Sequence, residues 1–276
     1  MKLGVYDAIL HDRPLDQAIE VVAGLGLTGI EINSGGFLPP VHLREIDEII
    51  ASPAAAERYL AQFEGTGVEI AGLNCNGNPL HPDPVIGRAH AADVSFWQGI
   101  DRLARDSGVK VALELHPQNV VFNPATIRRL VDQGGLTNVG VELDASHLFW
   151  QQMDPVAVVR DLGPLVFHAA AKDVRINPAV AIDGVLDNSF RKLRADEPRT
   201  NLGGDEWANE WPVNSSWDFV ALGRGHDTAY WTEFLRALHE VDPEMAVNIE
   251  HEDTSLGRIE GLEVAAGVLK EAWAAL

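Results

Sequence analysis

Carboxylate and imidazole side chains recur at the ends of apolar, strand-like runs in this sequence. The run VALELHP places Glu114 before His116, and the run VGVELDASH places Asp144 three residues before His147. A third run, AVNIEHED, delivers Glu250. Carboxylates that meet in a confined space repel one another, and they either hold protons or attract a cation. The spacing therefore indicates acid–base or metal chemistry, although each residue alone would serve equally well as a helix cap or a rim ion pair.

The residue types narrow the choice of metal and add substrate contacts. Carboxylate oxygens with a histidine nitrogen suit Mn²⁺, Mg²⁺ or Co²⁺ better than a thiolate-preferring ion. Asn74 and Asn76 share one face of another run, where they bind sugar hydroxyls or form a turn. Lys172 either holds an oxyanion or pairs with the adjacent Asp173.

Short apolar runs that alternate with helical patterns must position these side chains. Runs rich in Val, Ile and Leu, with little polar alternation, are typical of parallel strands buried on both faces. The predicted strands are Leu3–Tyr6, Gly29–Asn33, Val68–Asn74, Val109–Glu114, Val139–Asp144, Leu165–Ala171 and Met245–Glu250. Repeated β-then-α units predict a (β/α) TIM barrel, whose active site lies at the carboxyl ends of the strands. An open doubly wound sheet is the alternative, but no GxGxxG motif follows the first strand.

The strand count is one short of a complete barrel. Only one helical stretch, 84–107, separates the third predicted strand from the fourth, where a full barrel has helix, strand and helix. We therefore expect one β/α unit to be absent around residues 93–98, rather than a poor strand to be hidden at 94–99. A single domain, 1–276, is predicted.

A long polar stretch at about 177–227 interrupts the β/α pattern. Loops of that length in compact domains are usually functional lids or disordered. This one contains Trp207, Trp211 and Trp217. A lid, a wall that stacks on sugar, a surface for a partner, or packing against the barrel rim would each use these rings.

Charge and composition limit the function classes. The 276 residues carry a formal net charge of −20, and such a surface repels phosphate backbones and anionic lipid. We therefore expect no nucleic-acid or membrane partner. A single cysteine, Cys75, and an N-terminus without a basic, apolar leader pattern lead us to expect a cytoplasmic protein.

Taken together, these segments resemble the sugar phosphate isomerase/epimerase family of xylose isomerase-like TIM barrels. The resembling segments, in order, are GLNCNGNPLHPD (72–83), ALELHP (112–117), LDASHLFW (143–150), AKDVRI (171–176), GRGHD (223–227) and NIEHED (248–253). The family implies a divalent-metal site built from Glu, Asp, His and Glu. Glu114, Asp144 and Glu250 match three of those ligands, and His147 matches the polar partner in Asp-x-x-His. Arg224 and His226 match a loop over the substrate.

One ligand departs from the family pattern. Members usually read His-x-His-Ala-Lys-Asp, with the second histidine on the metal, whereas this chain reads His168-Ala-Ala-Ala-Lys-Asp and has Ala170 at that position. His168 lies on the same strand face and is our substitute ligand. The alternatives are three carboxylates with His147 or water, or loss of the metal.

The resemblance implies a metal-dependent isomerase or epimerase that acts on a keto sugar through an enediolate, with Mn²⁺ as the favoured ion. Glu114 or Glu250 takes the proton, the other or His147 returns it, and Lys172 supports the oxyanion. His116 joins Asn74, Asn76, Arg224 and His226 as expected substrate-binding residues.

Two other functions fit the same residues. The enolate of a 3-oxo-glycoside would expel its aglycone, which makes a lyase that works with a small β-sandwich subunit. A degenerate barrel that only binds sugar is the third interpretation. Beyond the sugar, the expected partners are another copy of the chain or that small subunit.

Overall fold

Seven parallel strands form one curled sheet in a computed structural model of the chain, in the order β3-β2-β1-β11-β6-β5-β4. The structure describes residues 1–36, 38–76, 94–117, 119, 121–186, 194, 196–197, 201–203, 206–207, 210, 212 and 214–276. The strands are β1 (Lys2–Tyr6), β2 (Gly29–Gly36), β3 (Glu69–Asn76), β4 (Val111–Glu114), β5 (Val139–Asp144), β6 (Val166–Ala171), β7 (Asp173–Ile176), β8 (Asn201–Gly203), β9 (Glu206–Trp207), β10 (Trp217–Val220) and β11 (Ala246–Ile249). The seven predicted strands are confirmed, with ends shifted by at most three residues.

The first strand pairs with the last, as in a TIM barrel. Lys2 of β1 lies opposite Ala246 of β11, and the pairing continues to Val5 and Ile249. β3 and β4 are therefore the two edge strands of the sheet. Between them, the described residues 94–107 are helical. The barrel fold agrees with the sequence, and the described residues form seven strands of the sheet, as predicted. The alternative of a hidden strand at 94–99 is wrong.

Burial follows the position of each strand in the sheet. Every residue of the inner strand β5 is buried, whereas all four residues of the edge strand β4 are only partly buried. Leu73 on the other edge strand is 62% exposed. An apolar strand of a parallel sheet normally has neighbours on both sides. The half-covered edges are what the loss of one β/α unit between β3 and β4 would leave.

Helices cover the outside of the sheet and have typical capping residues at their ends. The helices are α1 (Leu15–Gly24), α2 (Ile46–Ala51), α3 (Pro53–Leu60), α4 (Val94–Ser107), α5 (Pro124–Gly134), α6 (Ala145–Trp150), α7 (Pro155–Leu162), α8 (Val180–Asp183), α9 (Thr228–Val241) and α10 (Arg258–Ala274). At the start of α5, the Thr126 N–H donates to the Asn123 side chain, and Gly135 ends that helix with φ 60°. In the described part of the chain, no helix is both long and apolar enough to span a membrane.

The two ends of the predicted lid, 177–227, are anchored by an antiparallel strand pair. β7 pairs with β10, with Asp173 opposite Val220. Trp217 is buried and stacks on Trp150, with ring centroids 4.8 Å apart and an angle of 3°. Trp211 and the side chain of Trp207 lie outside the described residues. Trp217 thus packs against the barrel rim, and a lid role for the remainder of the stretch stays a prediction.

Asp101 ties α4 to the segment before β5, and Asp101→Asn is expected to destabilise the fold by about 1–2 kcal/mol. Its Oδ1 accepts hydrogen bonds from the N–H groups of Thr137 (2.7 Å) and Asn138 (2.6 Å). Burial would raise the pKa of Asp101, but these donors outweigh it and lower the pKa below its ordinary value of 3.8. Urea unfolding at pH 7 measures the loss.

The loss of stability in Asp101→Asn should depend on pH in a defined direction. A lowered carboxylate pKa stabilises the folded chain fully above pH 3.8, and the stabilisation disappears as the pH falls through the folded value. The difference in the free energy of unfolding between wild type and Asp101→Asn should therefore become smaller at acidic pH. Asp106→Asn, an exposed change on the same helix, is the matched control. Equal stability of the two variants at pH 7 would contradict the prediction.

Candidate active site

Acidic and basic side chains meet at the carboxyl rim of the barrel, where the parallel strands end. Glu114 is the last residue of β4 and Asp144 is the last residue of β5. Lys172 directly follows β6, and Glu250 directly follows β11. The four residues approach one another because β4, β5, β6 and β11 are consecutive neighbours in the sheet.

Asp144 is both a helix cap and a site residue. Its Oδ1 accepts a hydrogen bond from the Ser146 N–H at 2.7 Å, which caps α6. Its Oδ2 is buried and accepts no hydrogen bond from the described residues. The nearest cationic atoms to Oδ2 are His147 Nε2 at 3.3 Å and Lys172 Nζ at 3.7 Å. The two interpretations of Asp144 are therefore compatible, since each uses a different oxygen.

Glu114 and His147 face each other across the ends of β4 and α6. Glu114 Oε1 lies 3.1 Å from His147 Nε2, and about one third of the Glu114 side chain is exposed. Trp150 Nε1 points at His147 Nδ1 from 3.4 Å, which leaves Nε2 as the nitrogen directed at the carboxylates. The His116 ring lies beside that of His147, with centroids 4.2 Å apart.

Lys172 is a buried cation enclosed by carboxylates. Its Nζ donates to Glu250 Oε2 at 2.9 Å and to Glu252 Oε1 at 2.6 Å, and it lies over the Phe219 ring, 4.3 Å from the centroid. The Lys172 side chain is only 4% exposed. The alternative that Lys172 pairs with Asp173 does not hold.

The two candidate acid–base carboxylates have unequal proton affinities. Burial would raise the pKa of Glu114, but the charge and hydrogen bond of His147, together with the charges of His116 and Lys172, outweigh it and lower that pKa to about 2. Burial raises the pKa of Glu250 to about 8; Lys172 opposes the rise, and Asp144 and Glu114 add to it. Two carboxyl groups with separated pKa values suit a pair in which one takes a proton and the other gives one.

A second polar group lies inside the barrel, and His168 is its one member that is predicted from the sequence as a metal ligand. His168 Nε2 lies 3.1 Å from Glu31 Oε2 and 4.0 Å from Glu142 Oε1, and the Asn248 side chain donates to Glu31 Oε2 at 2.9 Å. Burial and the surrounding carboxylates, Glu31 first, raise the pKa of Glu142 well above its ordinary value. Strand alternation would have located Glu142, since residues 142 and 144 share a face of β5.

The four predicted metal ligands are divided among three neighbourhoods. Ligand atoms of Glu114, Asp144 and His147 lie within 4.8 Å of one another, and so do those of Glu31, Glu142 and His168. Glu250 is held by Lys172. The free, buried Oδ2 of Asp144 and the oxygen-plus-imidazole donor set fit a divalent cation at the first group. These carboxylate and histidine groups could bind a metal.

The predicted substrate-binding residues differ in their position relative to this rim and in their contacts. Asn74 Oδ1 accepts from the Tyr6 hydroxyl at 3.4 Å, so its side chain faces the barrel interior. Asn76 ends β3, and its side chain lies outside the described residues. Arg224 bonds to Asp253 and to Ser255, and the His226 ring stacks on Phe149 with centroids 3.8 Å apart.

Asp173 holds the loop that carries Arg224 and His226, and Asp173→Asn is expected to release it. The buried Asp173 Oδ2 accepts hydrogen bonds from the N–H groups of Gly223, Gly225 and His226, each at 3.0 Å. An amide in place of the carboxylate puts an N–H₂ donor against some of these donors, which costs roughly 1–3 kcal/mol for each group left unsatisfied. We expect a lower urea midpoint and faster proteolysis within 221–227. Asp227→Asn, a cap at the start of α9, is the control; cleavage of both variants at the same rate would refute this role.

The family profile described as "xylose isomerase-like TIM barrel" matches residues 87–272, about two thirds of the chain. The chain belongs to this family. The match agrees with the seven-stranded parallel sheet of this chain.

Other comparisons extend over nearly the whole chain. The chain is 26% identical over 330 positions to the uncharacterized protein YfiH of Bacillus subtilis (strain 168), covering 98% of this chain and 99% of YfiH. The structure is similar to the probable 3-DHS dehydratase AsbF of Bacillus anthracis (TM-score 0.63, 14% identity, 98% and 99% coverage). It is also similar to D-psicose 3-epimerase of Clostridium cellulolyticum H10 with D-tagatose (TM-score 0.61, 15% identity, 99% and 99% coverage). At these identities the two structures establish the fold alone.

The alignment with YfiH bears on the β/α unit that is predicted to be absent. It runs over 330 positions, whereas this chain has 276 residues, so more than fifty positions of YfiH have no counterpart here. One β/α unit of a TIM barrel takes about 30 residues. The difference in length is therefore large enough to contain the one β/α unit that the sequence predicts to be absent.

Proposed function

We propose that this protein is a divalent-metal-dependent isomerase or epimerase of a keto sugar that works through an enediolate. One observation carries the proposal: Glu114 and Glu250, at the ends of different strands, approach the same buried Asp144 with unequal proton affinities. Isomerisation or epimerisation next to a carbonyl needs one group that removes a proton from carbon and one that returns it. The family, in which sugar epimerases share the fold, supports this interpretation.

The carboxylates of Glu114, Asp144 and Glu250 would hold the cation, with His147 as the nearest nitrogen donor. His168 was the predicted fourth ligand, and its contacts with Glu31 and Glu142 favour the alternative set with His147 or water. A divalent cation held there, with Mn²⁺ as the favoured ion, would supply Lewis-acid stabilisation of the negative charge that develops on the sugar oxygens.

Different side chains of the protein then carry out the two proton transfers. Glu114, ionised beside His147, is the group that takes the proton from carbon, and Glu250 returns it on the other face. Lys172 donates hydrogen bonds to Glu250 and to the half-exposed Glu252, and its proposed role is to turn one of them to a substrate oxygen. Asn74, Asn76, His116, Arg224 and His226 are the proposed contacts to the sugar hydroxyls.

Deuterium exchange tests the proposal whichever sugar the enzyme produces, because the exchange occurs at the enediolate. The protein, supplied with Mn²⁺, is incubated with D-psicose or D-tagatose in D₂O, and NMR follows the carbon-bound proton next to the carbonyl. We expect wash-in of deuterium, loss of exchange with EDTA, and recovery with Mn²⁺. Exchange that survives EDTA overturns the metal requirement, and no exchange across a panel of ketoses overturns the isomerase.

A second candidate is elimination from a 3-oxo-glycoside, as the barrel subunit of a two-subunit lyase. Aromatic rings beside the acid–base groups favour it: Phe219 lies under Lys172 and 5.7 Å from the His147 ring, and Trp217 packs against Phe219. Such a wall suits an aromatic leaving group. Release of a phenol from an aryl 3-oxo-glycoside, together with inertness toward free ketoses, would favour the lyase over the isomerase.

A further inference from the structure

Three buried polar side chains lie together outside the strand-end groups, in the connections that follow β1 and β2. Asp7 directly follows β1, and His11 ends the short 3-10 turn Asp7–Leu10. His42 comes from the connection between β2 and α2. The side chains of Asp7 and His11 are 0% exposed and that of His42 is 1% exposed. We propose that Asp7, His11 and His42 form a second divalent-metal site, of the type that binds Zn²⁺.

The distances suit a single ion among these residues. His42 Nδ1 lies 2.8 Å from Asp7 Oδ2, and His11 Nε2 lies 3.4 Å from Asp7 Oδ1. One ligand atom from each residue lies within 4.8 Å of the other two. The two imidazole rings meet edge to face, with centroids 5.1 Å apart. Ligands about 2.0–2.2 Å from a zinc ion are separated from one another by little more than 3 Å, so small side-chain shifts complete the coordination.

Ion pairs between Asp7 and the two histidines do not explain the environment of the His11 ring. Both of its ring nitrogens are buried: among the described residues Nδ1 has no partner, and Nε2 has no hydrogen bond beyond the 3.4 Å ion-pair contact with Asp7 Oδ1. The hydroxyl of Tyr59, which lines the same cavity, is also buried and has no hydrogen-bond partner in the described part of the chain. A buried polar atom without a partner costs about 1–3 kcal/mol, and native proteins rarely keep several together without an ion or a water between them.

The surroundings orient the ligands as metal sites require. His42 Nε2 donates to the carbonyl oxygen of Arg13 at 3.0 Å, which leaves Nδ1 as the coordinating nitrogen. The Asn33 N–H donates to Asp7 Oδ1 at 2.9 Å and fixes that carboxylate. Ligating histidines almost always donate their second ring N–H to a carbonyl or carboxylate.

The donor set selects the class of ion and leaves one position open. Two imidazole nitrogens and one carboxylate oxygen are ligands that Zn²⁺ accepts, with water in the fourth position. A cavity of about 540 Å³, lined by His11, His42 and Tyr59, adjoins the group and has room for that water. Because the ligands come from two separate connections, the ion would fasten the segment after β1 to the segment after β2.

Zinc titration of full-length variants tests the site apart from the proposed catalytic group. Asp144→Asn removes the free carboxylate oxygen at the barrel rim, and we expect this protein still to bind one Zn²⁺ in calorimetry. Adding His11→Asn should weaken that binding by roughly 100-fold or more, because losing a ligand costs more than losing the partner of a ligand. Adding His239→Asn, on the exposed side of α9, should change nothing.

A spectroscopic measurement keeps the test independent of how His11→Asn folds. Zinc-edge X-ray absorption of the Asp144→Asn protein with one equivalent of Zn²⁺ should show scattering from two imidazoles. One imidazole or none, or equal Zn²⁺ affinity of the His11→Asn and His239→Asn variants, would overturn the proposal. Loss of sugar activity would not bear on it, since these residues lie outside the proposed catalytic group.

Discussion

Glu114→Gln is expected to lower the rate of deuterium exchange into a keto sugar by roughly 10²–10⁴-fold, the range by which a positioned general base contributes. The glutamine keeps the shape of the side chain but cannot accept a proton from carbon. It also removes the carboxylate that faces His147 Nε2 at 3.1 Å. The change should act on kcat more than on KM, because the base works in the transition state.

Two comparisons make this prediction specific. Glu263→Gln, on the exposed face of α10, is the matched control and should leave the rate unchanged. Glu250→Gln should abolish return of the proton on the other face, so that product formation falls while Glu114 still exchanges the substrate proton with solvent. A Glu114→Gln protein that binds Mn²⁺ normally and exchanges at the wild-type rate would remove Glu114 from the mechanism.

The sheet and the rim of the site could be predicted because both depend on local pattern. Apolar runs mark the strands, and the carboxyl ends of parallel strands necessarily meet at one rim. Glu114 and Asp144 can therefore be identified from their positions alone. The capping of α6 by Asp144 Oδ1 follows from the same placement, since a strand end is also a helix start here.

Other contacts could not be predicted because they join residues far apart in the sequence. Lys172 lies next to Asp173, which makes that pair plausible, but Asp173 is occupied by the backbone of 223–226 and Lys172 by Glu250. His11 and His42 lie in connections without periodicity, so no pattern directs them toward Asp7. His168 stands two residues before Ala170, and two residues along a strand move a side chain by nearly 7 Å. That step brings it beside Glu31 instead.

Lys172→Met is expected to destabilise the protein by roughly 3–5 kcal/mol in EDTA, as the loss of one partner from a buried ion pair does. The ammonium stands among Asp144, Glu250 and Glu252, and without it these carboxylates repel one another. Solvent screens the charge of the half-exposed Glu252, so we expect the destabilisation to lie toward the lower end of the range of roughly 3–5 kcal/mol.

A divalent cation should restore much of the stability that Lys172→Met removes, because Lys172 and a metal would neutralise the same carboxylates. In urea unfolding with excess Mn²⁺, we expect the gain over EDTA to be larger for Lys172→Met than for wild type. Lys110→Met, an exposed lysine that lies over the Phe167 ring, is the control and should gain no more than wild type. If Mn²⁺ stabilises Lys172→Met less than it stabilises wild type, Lys172 helps to hold the metal and does not compete with it. In that case Glu250 would bind the ion only when Lys172 is present.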